Sequence, residues 1–164
     1  MADTDFETEL RLKDMTVLIV DDDREVLEAI DQALIQDPSV FVLGLDADDQ
    51  FGVYGTTLDL THPERVIGTP VSENAMTGVA LGAAVSGMRP IHIHMRCDFM
   101  MVAMDQIVNN AAKLSYMSDG QFSVPLIIRT VTGGGGQLAA THSQSFENWY
   151  ASVPGLKVVA PTSP

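Results

Sequence analysis

The chain has 164 residues, enough for one domain with a substantial core and too few for two of ordinary size. Its composition, 46% hydrophobic and 19% charged, is globular, and no apolar run approaches the roughly 18 residues that a membrane span needs. A net charge of −13 repels phosphate backbones and argues against nucleic acid as a partner.

The charge is unevenly spread. Residues 1–50 hold 15 of the 22 acidic side chains, and the remainder of the chain is nearly neutral. Residues 1–14 are therefore expected to be an acidic, solvated tail, and 15–164 the folded domain. The acidic, polar start does not read as a signal or transit peptide. The single cysteine, Cys97, cannot form an internal disulfide. That fits a reducing compartment, and the cytoplasm is the expected location.

In chain order, "VLIV" (17–20) predicts a strand, and "REVLEAIDQALIQ" (24–36) carries apolar residues at helical spacing. "DPS" breaks that helix, "VFVLGL" (40–45) reads as a buried strand, and "FGVYGTT" as a loop. "RVIGTP" (65–70) is a short strand. Ser72 is placed to cap a helix over 73–87, with Gly87 as its stop. Further strands are expected at 89–95, 124–130 and 156–161, with a long helix over 98–117. Strands separated by helices predict an α/β fold with a mainly parallel sheet and helices on both faces.

The start of the chain, "TVLIVDDDREVLEAIDQAL", resembles the first strand and acidic pocket of a two-component receiver domain. The rest of a receiver is missing. No phosphoacceptor aspartate ends a third strand, and the lysine of "KVVAP" begins its strand when it should end it. Asp21, Asp22 and Asp23 read instead as a helix start, where negative charge complements the helix dipole.

A different likeness covers residues 24–164. "PERVIGTPVSENAMTGVALGAAVSGMRPIHIHM", "DQIVNNAAKLSYMSDGQFSVPLIIRT" and "THSQSFENWYASVPGLKVVAPTSP" are co-linear blocks. They resemble the β-subunits of thiamine-diphosphate-dependent 2-oxo acid dehydrogenases, of the transketolase-like superfamily. The resemblance implies a pyrimidine-binding domain, without the family's C-terminal domain. It implies decarboxylation of a 2-oxo acid and acyl transfer to a lipoyl-bearing transacylase. No Gly-Asp-Gly…Asn diphosphate motif is present, so the resemblance implies an α-subunit that binds the diphosphate and Mg2+, in a hetero-oligomer inactive without it. Two other readings remain: a split, transketolase-like ketol-transfer enzyme, and a non-catalytic assembly or signalling module on the same fold.

Residue by residue, Glu73 in "PVSEN" matches the family glutamate that bonds the cofactor's pyrimidine ring; by residue type alone it is a solvated first-turn glutamate. Phe99 matches an aromatic that packs on the pyrimidine, and is otherwise a core phenylalanine. His142 in "THSQ" matches the histidine that assists acyl transfer, and is otherwise a surface-loop residue. Met76 stands where an aromatic often lies near the cofactor. Ile93 and Val102 replace an acidic and a polar residue, which leaves the substrate open. His92 and His94 alternate on a strand and so share a face, as in some zinc sites. No third ligand stands at a diagnostic spacing, so packed or hydrogen-bonded imidazoles are expected. The small residues Gly78, Ala80, Gly82, Ala83 and Ala84, and the methionines Met100, Met101 and Met104, are expected to pack within or between subunits.

Overall fold

The computed structural model describes residues 16–20 and 24–160; the acidic segment 1–14 and Asp21–Asp23 lie outside the described residues. The first strand, β1 (Thr16–Val20), leads to α1 (Arg24–Gln36) and β2 (Val40–Gly44). A one-turn α2 (Gly52–Gly55) precedes β3 (Val66–Gly68), and α3 (Glu73–Val85) leads to β4 (Arg89–Ile93). The second half contains α4 (Cys97–Met100), α5 (Leu114–Met117), β5 (Ile127–Thr130), α6 (Glu147–Ala151) and β6 (Leu156–Val159).

All six strands pair in parallel, in the order β3-β2-β4-β5-β1-β6. Both faces of the sheet are covered, so β2 reads as one apolar run, and its alternate residues serve different layers. Val40 and Val42 join Ile30 and Leu34 of α1 and Ile91 and Ile93 of β4 on one face. Leu43 joins Ala80 and Ala84 of α3, Met100, Ile107 and Ile128 on the other.

The α1 register follows from its sequence, since Val26, Leu27, Ile30 and Leu34 fall on one stripe. Asp37 ends it with a local turn, accepting hydrogen bonds from Ser39 N–H (2.8 Å) and Ser39 Oγ (2.6 Å). Those two bonds hold the Asp37 carboxyl below its ordinary range. Arg65 covers the same corner, donating to the carbonyls of Asp37 and Val40 at 3.0 and 3.1 Å.

The structure corrects several boundaries. The strand expected over 65–70 is limited to Val66–Gly68: Thr69 N–H makes a last ladder bond to Gly44 O (2.9 Å), and Pro70 has no N–H to carry the pairing on. Ser72 occupies the N-cap position of α3 without making a side-chain cap bond. Gly87, at φ +96°, does stop α3: Gly87 N–H donates to Ala84 O and Met88 N–H to Ala83 O, both at 3.0 Å.

The long helix expected over 98–117 is broken into α4, a 3-10 turn (Met101–Ala103), a π-helical stretch (Gln106–Ala111) and α5. Asn110 Nδ2 donates to Asp105 O (3.2 Å) and Asn109 Nδ2 to Asp105 Oδ1 (2.8 Å). The Asn110 amide competes for a carbonyl that a regular helix gives to its own backbone, and the winding loosens there. Apolar spacing alone does not register that change.

Candidate functional site

In an open parallel sheet, ligands bind at the carboxyl ends of the strands, where the strand order reverses. Here the chain leaves β2 outward to β3 and returns across β2 to β4. The crevice at this reversal encloses about 380 Å³. Leu45 follows β2, Thr69–Glu73 link β3 to α3, and His92–Met95 end β4; all line it, with Met76, Phe99, Val102 and His142. The lining is largely apolar with few polar groups, the usual character of a small-molecule site. Gly44 makes the β2–β4 approach possible, since a Cβ there would lie 2.6 Å from Ile93 O.

Glu73 is the first residue of α3 and is half-buried at this crevice. One turn later Thr77 is fully buried, and its Oγ1 donates to Glu73 O at 2.7 Å. The same oxygen lies 3.1 Å from His92 Nε2 and 3.2 Å from His94 Nε2. His92 Nδ1 lies 3.2 Å from Leu43 O, so the proton of the neutral ring sits on Nδ1, and Nε2 offers a lone pair toward Thr77. The two imidazole rings meet edge to face, with centroids 4.4 Å apart.

Burial pushes the His92 imidazole down to about 4, partly offset by its bond to Leu43 O. His94 is held well below the ordinary histidine value, by burial first and then by its neighbour His92. Both rings are thus neutral at pH 7, packed and hydrogen-bonded as expected. Among the described residues no group of three His, Cys, Asp or Glu side chains is arranged to hold a metal ion. Asp98 and Cys97, the acidic and thiol side chains nearest in sequence to the two histidines, are bonded to Gln144.

Phe99 stands on α4 and meets His142 edge to face, with centroids 4.9 Å apart and an interplanar angle of 80°. His142 is half-buried on a 3-10 turn (Ala140–His142) after the glycine tract, and its Nδ1 lies 3.0 Å from Thr141 Oγ1. The structure therefore brings Glu73, Met76, Phe99 and His142 to one crevice. Of the small residues on α3, Ala80 and Ala84 face the core, and Gly78 faces the Gln106 amide, 3.6 Å from where a Cβ would stand. Gly82 has open space beside it. Met100 is fully buried and Met101 exposed, so the methionine run divides between core and surface.

Sequence reasoning did not single out Thr77, or the pairing of Arg96 with Asp98 beneath Phe99 (Nε to Oδ2, 3.7 Å). The Arg-x-Asp spacing was the only available signal for the second, and it is a common one.

Residues 24–164 match the family described as transketolase, pyrimidine binding domain. The chain belongs to that family. It is transketolase-like and thiamine-diphosphate-dependent as a class. The chain is 45% identical over 155 residues to the pyruvate dehydrogenase E1 component subunit beta-2, mitochondrial, of Oryza sativa subsp. japonica, covering 92% of this chain and 40% of that protein. To the beta-1 subunit of Arabidopsis thaliana the identity is 44%, covering 92% and 41%. To the acetoin:2,6-dichlorophenolindophenol oxidoreductase subunit beta of Cupriavidus necator it is 45%, covering 84% and 44%. The chain spans about two fifths of the length of these relatives. These relatives are beta subunits by name.

The cytoplasmic location expected from composition is overturned: the plant relatives are mitochondrial by name and point to mitochondria. A lone cysteine does not distinguish one reducing compartment from another, which is why that expectation failed.

Proposed function

We propose that this chain is the pyrimidine-binding part of the β-subunit of a 2-oxo acid dehydrogenase decarboxylase component, acting with an α-subunit that binds the diphosphate and Mg2+. The observation that carries the reading is the convergence of Glu73, Phe99 and His142 on the crevice between β2 and β4. The residues fit the pyrimidine of thiamine diphosphate: a flat apolar slot with an aromatic side chain and one carboxyl at a helix start. When bound, that group supplies the electron sink for decarboxylation.

Glu73 would hydrogen-bond a nitrogen of the pyrimidine ring from the crevice wall. Its position is fixed by the α3 first turn and by the Thr77 bond to its own carbonyl. Phe99 and Met76 would hold and orient the ring and exclude water from it. His142 would hold and move a proton during acyl transfer to the lipoyl arm of a transacylase. The relative named as an acetoin:2,6-dichlorophenolindophenol oxidoreductase subunit makes acetoin a second donor to be tried beside pyruvate.

The test is Glu73→Gln in the assembled enzyme. It should lower decarboxylation of pyruvate, or cleavage of acetoin, by roughly 10²- to 10⁴-fold. Activity that survives this change would exclude the assignment of Glu73, and a wild-type assembly without activity would favour a non-catalytic module. Transfer of a ketol group to an aldose, with no lipoyl acylation, would favour the transketolase-like alternative.

A further inference from the structure

Residues 133–144 form a loop that leaves and rejoins the body of the protein at one neck, where Gly133 N–H donates to Gln144 O at 3.0 Å. Three consecutive residues grip that neck. The Arg96 guanidinium donates to Gly133 O. The Cys97 thiol donates to Gln144 O at 3.1 Å. Asp98 Oδ1 accepts from Gln144 N–H at 3.2 Å and from its side-chain amide at 2.8 Å.

The grip is made by buried charges. The Arg96 and Asp98 side chains are 5% and 2% exposed, and Nε faces Oδ2 at 3.7 Å. Among the described residues, neither of those two atoms has a hydrogen-bond partner. Such a pair loses solvation that its mutual attraction barely recovers, so as a stability device it is poor. Its position offers a better account. Asp98 is followed directly by Phe99, whose ring meets His142 in the loop. The loop begins with four glycines, which impose little order of their own.

We propose that Arg96 and Asp98 are positioning residues that hold the 133–144 loop so that His142 stands against Phe99 for the acyl-transfer half of the reaction. This rests on the function proposed above. The pair acts on the loop alone, so decarboxylation itself, which depends on Glu73, is largely indifferent to it.

The informative variant is the double Arg96→Met/Asp98→Leu. It removes the grip without leaving an uncompensated buried charge, so the domain should fold with nearly unchanged stability. In the holoenzyme two rates are compared with pyruvate as donor: reduction of 2,6-dichlorophenolindophenol, which bypasses the lipoyl group, and acylation of the lipoyl-bearing transacylase. Lipoyl acylation should fall roughly ten- to a hundredfold, the cost of a misplaced catalytic group, while the dye rate changes less than about twofold. Amide hydrogens of residues 134–143 should exchange faster in the variant, with the β4 and β5 amides unchanged. Arg96→Lys, which keeps the charge and a donor, should restore most of the acylation rate. Equal loss of both rates, or loss of neither, overturns the inference while the proposed function stands. Absence of both rates in the wild-type assembly overturns the function, and the inference with it.

Discussion

Thr77 Oγ1 lies 2.7 Å from the carbonyl oxygen of Glu73 and ties the first turn of α3 to the floor of the crevice. The hydroxyl is fully buried and serves His92 and His94 as well. Thr77→Val keeps the shape but leaves these polar atoms unsatisfied, at a cost of about 1–3 kcal/mol. Thr77→Ser should recover most of that loss. Denaturant midpoints of the three proteins decide it, and a fully stable valine variant would show that the network does not contribute.

Acid should destabilise the domain through the same floor. His92 is depressed from its ordinary 6.5 to about 4, and His94 moves in the same direction. Between those pH values the unfolded chain binds protons that the folded chain refuses, so stability is full above about 6.5 and falls as the pH drops toward about 4. His92 alone accounts for about 3 kcal/mol across that window. Urea midpoints measured from pH 7.5 to 4.5 should decline, and His92→Gln should decline less steeply. A wild-type midpoint that ignores pH would sink the idea.

Gly44→Ala should disturb the sheet where the crevice forms. The added carbon would meet Ile93 O at 2.6 Å and Ile93 Cβ at 2.9 Å, neither of which is a flexible side-chain end. Forced separation of β2 from β4 is expected to cost about 1–3 kcal/mol. Calorimetry gives the size, and a melting temperature equal to wild type would contradict the close approach.

Phe99→Leu keeps an apolar side chain in the crevice and removes the edge-to-face contact with His142. That contact contributes about 0.5–1.5 kcal/mol. The His142 ring should become more mobile, visible as narrower imidazole resonances and a longer ring relaxation time. Unaltered ring dynamics would mean that Phe99 does not hold it.

Much of the arrangement was legible in the sequence, for reasons that differ by residue. The α1 stripe of Val26, Leu27, Ile30 and Leu34 and the Gly87 stop are local signals, and both held. Glu73, Phe99 and His142 share one crevice, and only the co-linear blocks around them single them out in the sequence; each alone is an ordinary residue. The alternation of His92 and His94 revealed a shared face but not their partner, because a threonine inside a small-residue helix looks like any other. Arg96 and Asp98 escaped notice because their partners, Gly133 and Gln144, are far along the chain. The π-helical stretch was invisible because the choice between backbone and side-chain partners at Asp105 leaves the apolar pattern intact.

The Thr77 hydroxyl has one hydrogen and two acceptors within reach, Glu73 O and His92 Nε2. Only one of them can receive that hydrogen at a time, so the crevice floor is a junction where the first turn of α3 and the end of β4 meet on a single hydroxyl.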